Sequence, residues 1–446
     1  MRLTKKETNE KIKKSMEIIK KEKQKIKAEK KKNREDKIGK NKLLKKIFNI
    51  KEKETVTISL KEQILSMIYF QIVGVILCLL VLFVLSGGRN YIKLYIELKK
   101  LINVYDTIES NYYGELDKHT LIDSAIDSML DSIGDDYTTY TDNNATNIFL
   151  EDLEGTYEGI GCMVSMTENR EIIVISTFED GPAKKAGLEP NDIILKIDDK
   201  EFKDKTSEDM ANYVKQSTKP QITLTVKRGE EEIEIVIKRA KVETPSVTSK
   251  VIEKDDKKIG YMDISIFSAV TYNQFKKQLD DLENKNIEAL IIDVRNDTGG
   301  YLSSVTDISS LFLKKGKIIY QLEDDKSKEK IKDTSKEHRE YPVAVLINGA
   351  SASASEILAA TIKESYGGIV IGTNSYGKGT VQKTKTLPDG SMIKYTAQKW
   401  LTPKGHWVNE VGVEPTTVVE LDVLNYTNGV DNQLDTAVSQ IIEKLN

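Results

Sequence analysis

Residues Ile64 to Leu85 form an apolar run of 22 positions without a charge, with Ser66 and Gln71 as its polar interruptions. At about 1.5 Å per residue a helix of this length covers the ~30 Å of a bilayer's hydrocarbon, so the run predicts a transmembrane helix over 64–86. A buried core helix is usually shorter and keeps a polar face. A cleaved signal peptide is the other reading, since Ser86, Gly87 and Gly88 are small, but its apolar core is shorter and its leader is not long and basic.

Beyond the run the apolar positions recur at helical spacing, at Leu94, Leu98, Leu101, Ile102 and Tyr105, then at Leu121, Ile122, Ala125, Ile126, Met129 and Ile133. This predicts two or three helices between Tyr91 and Leu150. From Tyr157 to Arg239 short β-rich runs alternate with turns around one helix near Ser207 to Gln216, which makes a small β-rich module. After Lys241 the pattern becomes strands separated by helices. Its continuous apolar cores LIID and VAVLI suit strands buried on both faces of a largely parallel sheet, hence an α/β domain with a mixed sheet and flanking helices.

Charge sharpens this division. Residues 1 to 62 hold 23 Lys+Arg against 10 Asp+Glu, a charge of +13, whereas the remainder holds 44 against 60, a charge of -16. The basic side stays in the cytoplasm by the positive-inside rule, which sends the chain after Gly88 across the membrane. The leader, with runs such as Lys20 to Lys32, serves topology alone or also meets anionic lipid or RNA; nothing in it reads a nucleic-acid sequence. Composition, 39% hydrophobic with 8 Pro, excludes a fibrous or low-complexity chain. Cys78 and Cys162 cannot make a disulfide framework, and His119, His338 and His406 lie in no metal-ligand spacing, so no metal and no cofactor are expected.

The candidate chemistry lies in the α/β domain. Val343 to Tyr366 reads as strand, turn and helix, with Ser351, Ser353 and Ser355 at the helix start. A serine there is held outside the sheet, beside free N–H groups that favour an oxyanion; it can equally be an N-cap. The next strand, IVIGTNSYGKGTVQ, ends in a turn that carries Lys378 between Gly377 and Gly379. A serine hydroxyl needs a base, and a desolvated, neutral lysine can supply one. The alternative is a surface turn; a phosphate loop is excluded because the GxxxxGK[ST] spacing is absent. Upstream, the segment Asp293 to Gly300 (DVRNDTGG) ends in two glycines that can turn N–H groups inward, or it is an ordinary turn in which Asp293 and Arg295 form a structural ion pair.

Taken together, GxSASASEI, the Gly-Lys-Gly-Thr-Val-Gln stretch and DxRxxxGG resemble the carboxy-terminal processing peptidases, or tail-specific proteases. SMLDSIGDDYTTY, YEGIG, GPAKKAGLEPNDIILKID, WLTPKG and VGVEPT extend the resemblance over about residues 91 to 446. It implies a Ser/Lys serine endopeptidase with a PDZ domain, in which Ser353 is the nucleophile, Lys378 the base and Gln382 the residue that orients the lysine. The implied oxyanion donors are the N–H groups of Ala354 and of the Gly299/Gly300 turn. Thr298 and Tyr301 depart from the usual residues around those glycines. Gly159, Ile160 and Gly161 match the PDZ loop that captures a free carboxylate while an edge strand accepts the peptide.

The expected organisation is therefore a basic cytoplasmic segment (1–63), a transmembrane signal anchor (64–86), a helical N-terminal region (90–152), a PDZ domain (155–240) and an α/β serine peptidase domain (241–446). The expected protein is a single-pass plasma-membrane endopeptidase with its catalytic domain extracytoplasmic. It would act on proteins or peptides with free C-termini and bind no specific nucleic acid, with a homo-oligomer as one arrangement. The competing reading is a membrane-tethered PDZ adaptor with an inactive protease fold.

Overall fold

The computed structural model describes residues 16–35, 59–85, 91–202 and 205–446. The chain divides into two compact units, residues 1–115 and 116–446. Much of the basic leader, and Ser86 at the end of the expected membrane span, lie outside the described residues.

The first unit is helical, with helices over 16–35, Leu60–Leu85 and Tyr91–Asn111. The second of these starts earlier than the apolar run because Ser59 and Glu62 cap it reciprocally. The Ser59 N–H donates to the Glu62 carboxylate at 2.9 Å, and the Glu62 N–H donates to Ser59 Oγ at 3.3 Å. Over Leu60–Phe83 its mean hydropathy is 2.6, and among the described residues it is the one helix long and apolar enough to cross a membrane.

The second unit opens with helix Lys118–Asp131, whose first N–H groups are capped by Asp117, then strand Thr139–Thr141 and helix Asn143–Glu154. Gly155 ends that helix in the left-handed region, at φ 65°; a Cβ there would come within 2.4 Å of Ser268 Oγ. The β-rich module follows. Its antiparallel sheet runs in the order Cys162–Met166, Ile172–Thr177, Ile193–Ile197, Gln221–Arg228 and Glu231–Lys238, so Cys162–Met166 is an edge strand. Helix Ser207–Gln216 begins at a Thr206/Asp209 capping box, buries Met210 and Val214, and packs beside that edge strand.

The α/β domain is built on a six-stranded sheet in the order Val247–Lys254, Lys257–Ile264, Ala289–Asp293, Val343–Ile347, Ile369–Gly372 and Thr417–Val418. The first pair is antiparallel and every other pair is parallel. Both faces are covered, which is why the central strands Ala289–Asp293 and Val343–Ile347 are buried at every position and apolar at all but Asp293. Leu290, Ile292, Val345 and Ile347 pack toward helices Thr271–Glu283, Leu302–Ser310 and Ala354–Thr361. Ile291, Ala344, Leu346 and Ile371 pack toward Ala437, Val438 and Ile441 of helix Asn432–Leu445. Each fully buried Ile or Leu contributes roughly 1.5–3 kcal/mol.

A second sheet, not read from the hydrophobic pattern, covers this domain. Strand Met392–Leu401 pairs antiparallel with Thr139–Thr141, Thr380–Thr386 and Ile318–Glu323, and the last also pairs with Lys328–Lys332. The stretch IVIGTNSYGKGTVQ is therefore not one strand. It leaves the parallel sheet at Gly372, loops through residues 373–379, and enters the second sheet at Thr380.

Candidate active site

Strand Val343–Ile347 delivers the three serines to the start of helix Ala354–Thr361, where tertiary contacts give them different fates. Ser351 and Ser355 are fully buried. The Ser351 hydroxyl donates to the Val294 carbonyl at 2.7 Å, and that of Ser355 to the Asp297 carbonyl at 3.0 Å. Ser353 instead lines a cleft of about 750 Å³. Its backbone sits at φ 55°, ψ -110°, a conformation that costs a non-glycine residue of order 1–3 kcal/mol and persists only where the surroundings impose it.

The same cleft is lined by Lys378, Gln382, Gly299 and Gly300, with Tyr301, Leu302, Phe149, Leu153, Ile266 and Trp400 as its apolar wall. Ala354, by contrast, has a fully buried side chain. The structure thus brings Ser353, Lys378, Gln382 and the glycine turn to one cleft, with Ala354 adjoining through its backbone. The glycine turn abuts the serine turn directly: a Cβ on Gly299 would lie 2.7 Å from the Ala352 carbonyl oxygen and 2.9 Å from the Ala354 nitrogen. No side chain larger than hydrogen fits there.

One buried carboxylate, not singled out in the sequence, joins the serine to the lysine loop. Glu356 Oε2 accepts the N–H groups of Ser353 (2.8 Å) and Lys378 (2.9 Å), while Oε1 accepts Ser375 Oγ (2.6 Å) and the Gly377 N–H (2.7 Å). The available signal was the Ser-x-x-Glu spacing of a capping box. What that spacing hides is the rest of the network, three bonds of the four, which come from residues 375–378.

Gly377, at φ 91°, and Gly379 let this loop press on the segment 409–412. A Cβ on Gly379 would meet the Asn409 nitrogen at 2.6 Å, and one on Gly377 would meet three backbone nitrogens at 3.0 Å. The Lys378 carbonyl accepts the Trp400 indole N–H at 2.7 Å. Its ammonium lies 4.8 Å from the centroid of the Tyr137 ring, which the DDYTTY segment supplies. Burial holds the Lys378 pKa below that of an ordinary lysine; the positive charge of Lys394 adds to this, and Glu356 and Asp135 oppose it. Among the described residues no ion pair ties Lys378.

Gln382 shares the cleft, yet its amide NH₂ donates to Thr380 Oγ1 (2.8 Å) and Thr396 Oγ1 (3.3 Å), and no hydrogen bond links it to Lys378. The two glycines of the turn also differ. The Gly299 N–H donates to Asp297 Oδ1 at 2.8 Å, whereas the N–H groups of Gly300 and Ala354 have no acceptor among the described residues. Arg295 and Asp293 do form an ion pair, closed by Asp431 at the start of helix Asn432–Leu445; their role there is structural.

In the β-rich module, Gly159 ends strand Thr156–Gly159, and Ile160 is buried with its carbonyl accepting the Ala183 N–H at 2.7 Å. Gly161, at φ 75°, passes its carbonyl to the Phe178 N–H at 3.0 Å. The loop leads straight into the edge strand Cys162–Met166. Among the described residues no group of three His, Cys, Asp or Glu side chains is placed to hold a metal ion.

Comparison with known proteins gives a consistent picture. Residues 258–419 match Peptidase family S41, residues 159–238 match the PDZ domain, and residues 87–145 match the Activating protease CtpB N-terminal domain. The carboxy-terminal processing protease CtpB of Bacillus subtilis strain 168 is 36% identical over 326 residues, 72% of this chain and 68% of that protein. A "Probable CtpA-like serine protease" of Staphylococcus aureus strain N315 is 33% identical over 338 residues, 75% of this chain and 67% of that one. Among solved structures, the photosystem II D1 C-terminal processing protease aligns with 72% of this chain and 86% of its own at 22% identity, with a TM-score of 0.42.

Proposed function

Because the chain belongs to peptidase family S41, as a serine-type carboxy-terminal processing protease with a PDZ domain, we propose that it cleaves through a Ser353/Lys378 dyad in the cleft described above. The observation that carries this reading is the Glu356 carboxylate, which holds the Ser353 and Lys378 backbone N–H groups with one oxygen. That arrangement couples nucleophile and base through a single buried group.

Lys378, whose burial disfavours the ammonium, takes in its neutral form the proton from Ser353 Oγ as the hydroxyl attacks the scissile carbonyl. The N–H groups of Gly300 and Ala354 meet the developing oxyanion; Gly299, whose N–H already has an acceptor, shapes the turn instead. Collapse of the tetrahedral intermediate passes the proton to the leaving amine and leaves an ester on Ser353. Water, deprotonated by Lys378, then hydrolyses that ester. Gln382 stands at the cleft to receive substrate or, after rotation of its amide, the lysine.

The edge strand Cys162–Met166 beside helix Ser207–Gln216 is suited to take an extended substrate C-terminus by strand addition, with the Gly159–Gly161 loop at the carboxylate end. The apolar helix Leu60–Leu85, preceded by the basic leader, supports a single-pass plasma-membrane anchor with residues 1–63 cytoplasmic and the peptidase outside. The test compares the wild-type chain with Ser353→Ala on an unfolded protein bearing an apolar C-terminal tail, with fragments followed by mass spectrometry. Cleavage by the folded wild type alone supports the dyad; cleavage by both refutes it.

A further inference from the structure

Asp297 belongs to none of the roles described so far, yet it stands where the serine turn and the glycine turn meet. Its side chain is fully buried. Oδ1 accepts the Gly299 N–H at 2.8 Å, and the residue's own carbonyl accepts the Ala352 N–H and the Ser355 hydroxyl, each at 3.0 Å. Oδ2 is buried without a hydrogen-bond partner among the described residues. An anion with one oxygen unsatisfied in such a place is costly, whereas an uncharged acid is tolerated.

We propose that Asp297 is a positioning residue of the peptidase centre, one whose carboxyl fixes the glycine turn through the Gly299 N–H and whose negative form sets an alkaline limit on turnover. The inference rests on the Ser353 reading above. Oxyanion stabilisation needs a positive potential at the Gly300 and Ala354 N–H groups. A carboxylate bonded to the neighbouring Gly299 N–H lowers that potential in a low-dielectric site, while the uncharged acid leaves it intact.

The surroundings favour the uncharged form near neutrality. Burial pushes the Asp297 carboxyl up to about 7, against the Gly299 N–H, which favours the anion. From strand Lys257–Ile264 the negative charge of Asp263 raises it further, and Asp263 is itself raised by burial. On the same loop Asp293 and Arg295 neutralise each other, with Arg295 also bound to Asp431. From helix Ala354–Thr361 the nearest ionisable group, Glu356, spends its carboxylate on Ser353 and the lysine loop. No cation among these is free to hold Asp297 as an anion.

The test uses the full chain in detergent micelles with fluorescently labelled β-casein as the unfolded substrate, comparing wild type, Asp297→Asn, Asp297→Ala and Ser353→Ala from about pH 6 to about pH 9. Asparagine keeps the acceptor for Gly299 but cannot ionise. The wild-type kcat should fall above about pH 7, by up to about tenfold per unit, and the Asp297→Asn profile should lack that fall. Asp297→Ala, which loses the acceptor, should lower kcat at every pH by at least about tenfold with little change in KM. An alkaline limb shared by wild type and Asp297→Asn overturns the proposal, as does a wild type that shows no such limb, whichever variants fold.

Thermal melting gives a readout that needs no turnover. A carboxyl raised from its ordinary value to about 7 in the folded state withdraws stability as pH climbs from about 4 to about 7, so Asp297→Asn should gain on wild type across that window. A difference that stays flat overturns the proposal. Cleavage by Ser353→Ala would sink the serine-dyad reading instead, and the melting comparison would still decide the charge state of Asp297.

Discussion

Replacing Glu356 by glutamine tests whether one buried carboxylate assembles the centre. The substitution keeps the shape and removes one acceptor oxygen, putting an NH₂ where either the Ser353 and Lys378 N–H groups or Ser375 Oγ and the Gly377 N–H now donate. With the NH₂ toward Ser353 and Lys378 two of the four donors face another donor; turned the other way only the Gly377 N–H does, because the Ser375 hydroxyl can rotate to accept. With about 1.5–3 kcal/mol for a hydrogen bond to a charged group, the junction loses about 1.5–6 kcal/mol. The loss falls on the geometry that holds Ser353 at φ 55° and Lys378 against Tyr137. Expressed as misplacement, that loss lowers kcat/KM by roughly tenfold or more at about 1.4 kcal/mol per decade. Progress curves on a fluorogenic peptide, read beside circular dichroism to confirm folding, measure it. A folded Glu356→Gln enzyme within about threefold of wild type would mean that the two loops hold their places without the carboxylate.

Lys378, its surroundings and the PDZ loop yield the remaining predictions. Lys378→Ala and Lys378→Arg should both abolish turnover, the arginine because a guanidinium stays charged near neutral pH; a cleaving Lys378→Arg protein excludes the lysine as base. Since Lys394 helps hold the Lys378 pKa down, Lys394→Met should raise it and move the acidic limb of kcat/KM to higher pH, and a limb that stays put or moves lower contradicts the coupling. Gly379→Ala places a methyl within 2.6 Å of a backbone nitrogen, so it should depress kcat more than tenfold through the displaced loop, as single-turnover kinetics would report. Removing the negative charge from a substrate's C-terminus by amidation should weaken its binding to the PDZ module by about tenfold in fluorescence anisotropy; equal affinity would rule out the Gly159–Gly161 loop as a carboxylate site.

Much of this architecture is legible in the chain because it is local. LIID and VAVLI read as doubly buried strands, and Ser207–Gln216 as a helix, because burial and capping act within a few residues. Only the resemblance singles out Ser353 among the three serines, since what separates them physically is contact with the Val294 and Asp297 carbonyls, more than 50 residues upstream. Glu356 carries only the local signal of a cap, because one of its four bonds is that of a cap and the other three come from residues 375–378. The second sheet was missed for a similar reason: Thr380–Thr386 is polar and largely exposed, and Thr139–Thr141 is three residues long. Neither carries an apolar period that could announce a strand.

Strand Met392–Leu401 also has a consequence for the order of events in biosynthesis. It pairs with Thr139–Thr141, and its Thr396 N–H donates to Thr138 Oγ1 across 258 positions of sequence. Pairing over so long a separation closes slowly and late. Tyr137, which lies against the lysine, leaves the ribosome early, while the strand that seats its segment arrives near the end of translation. A nascent or truncated chain can carry Ser353 on a formed helix and still lack the platform under Lys378. The seat of Tyr137 beside Lys378 is thus completed only when residues 392–401 pair with Thr139–Thr141.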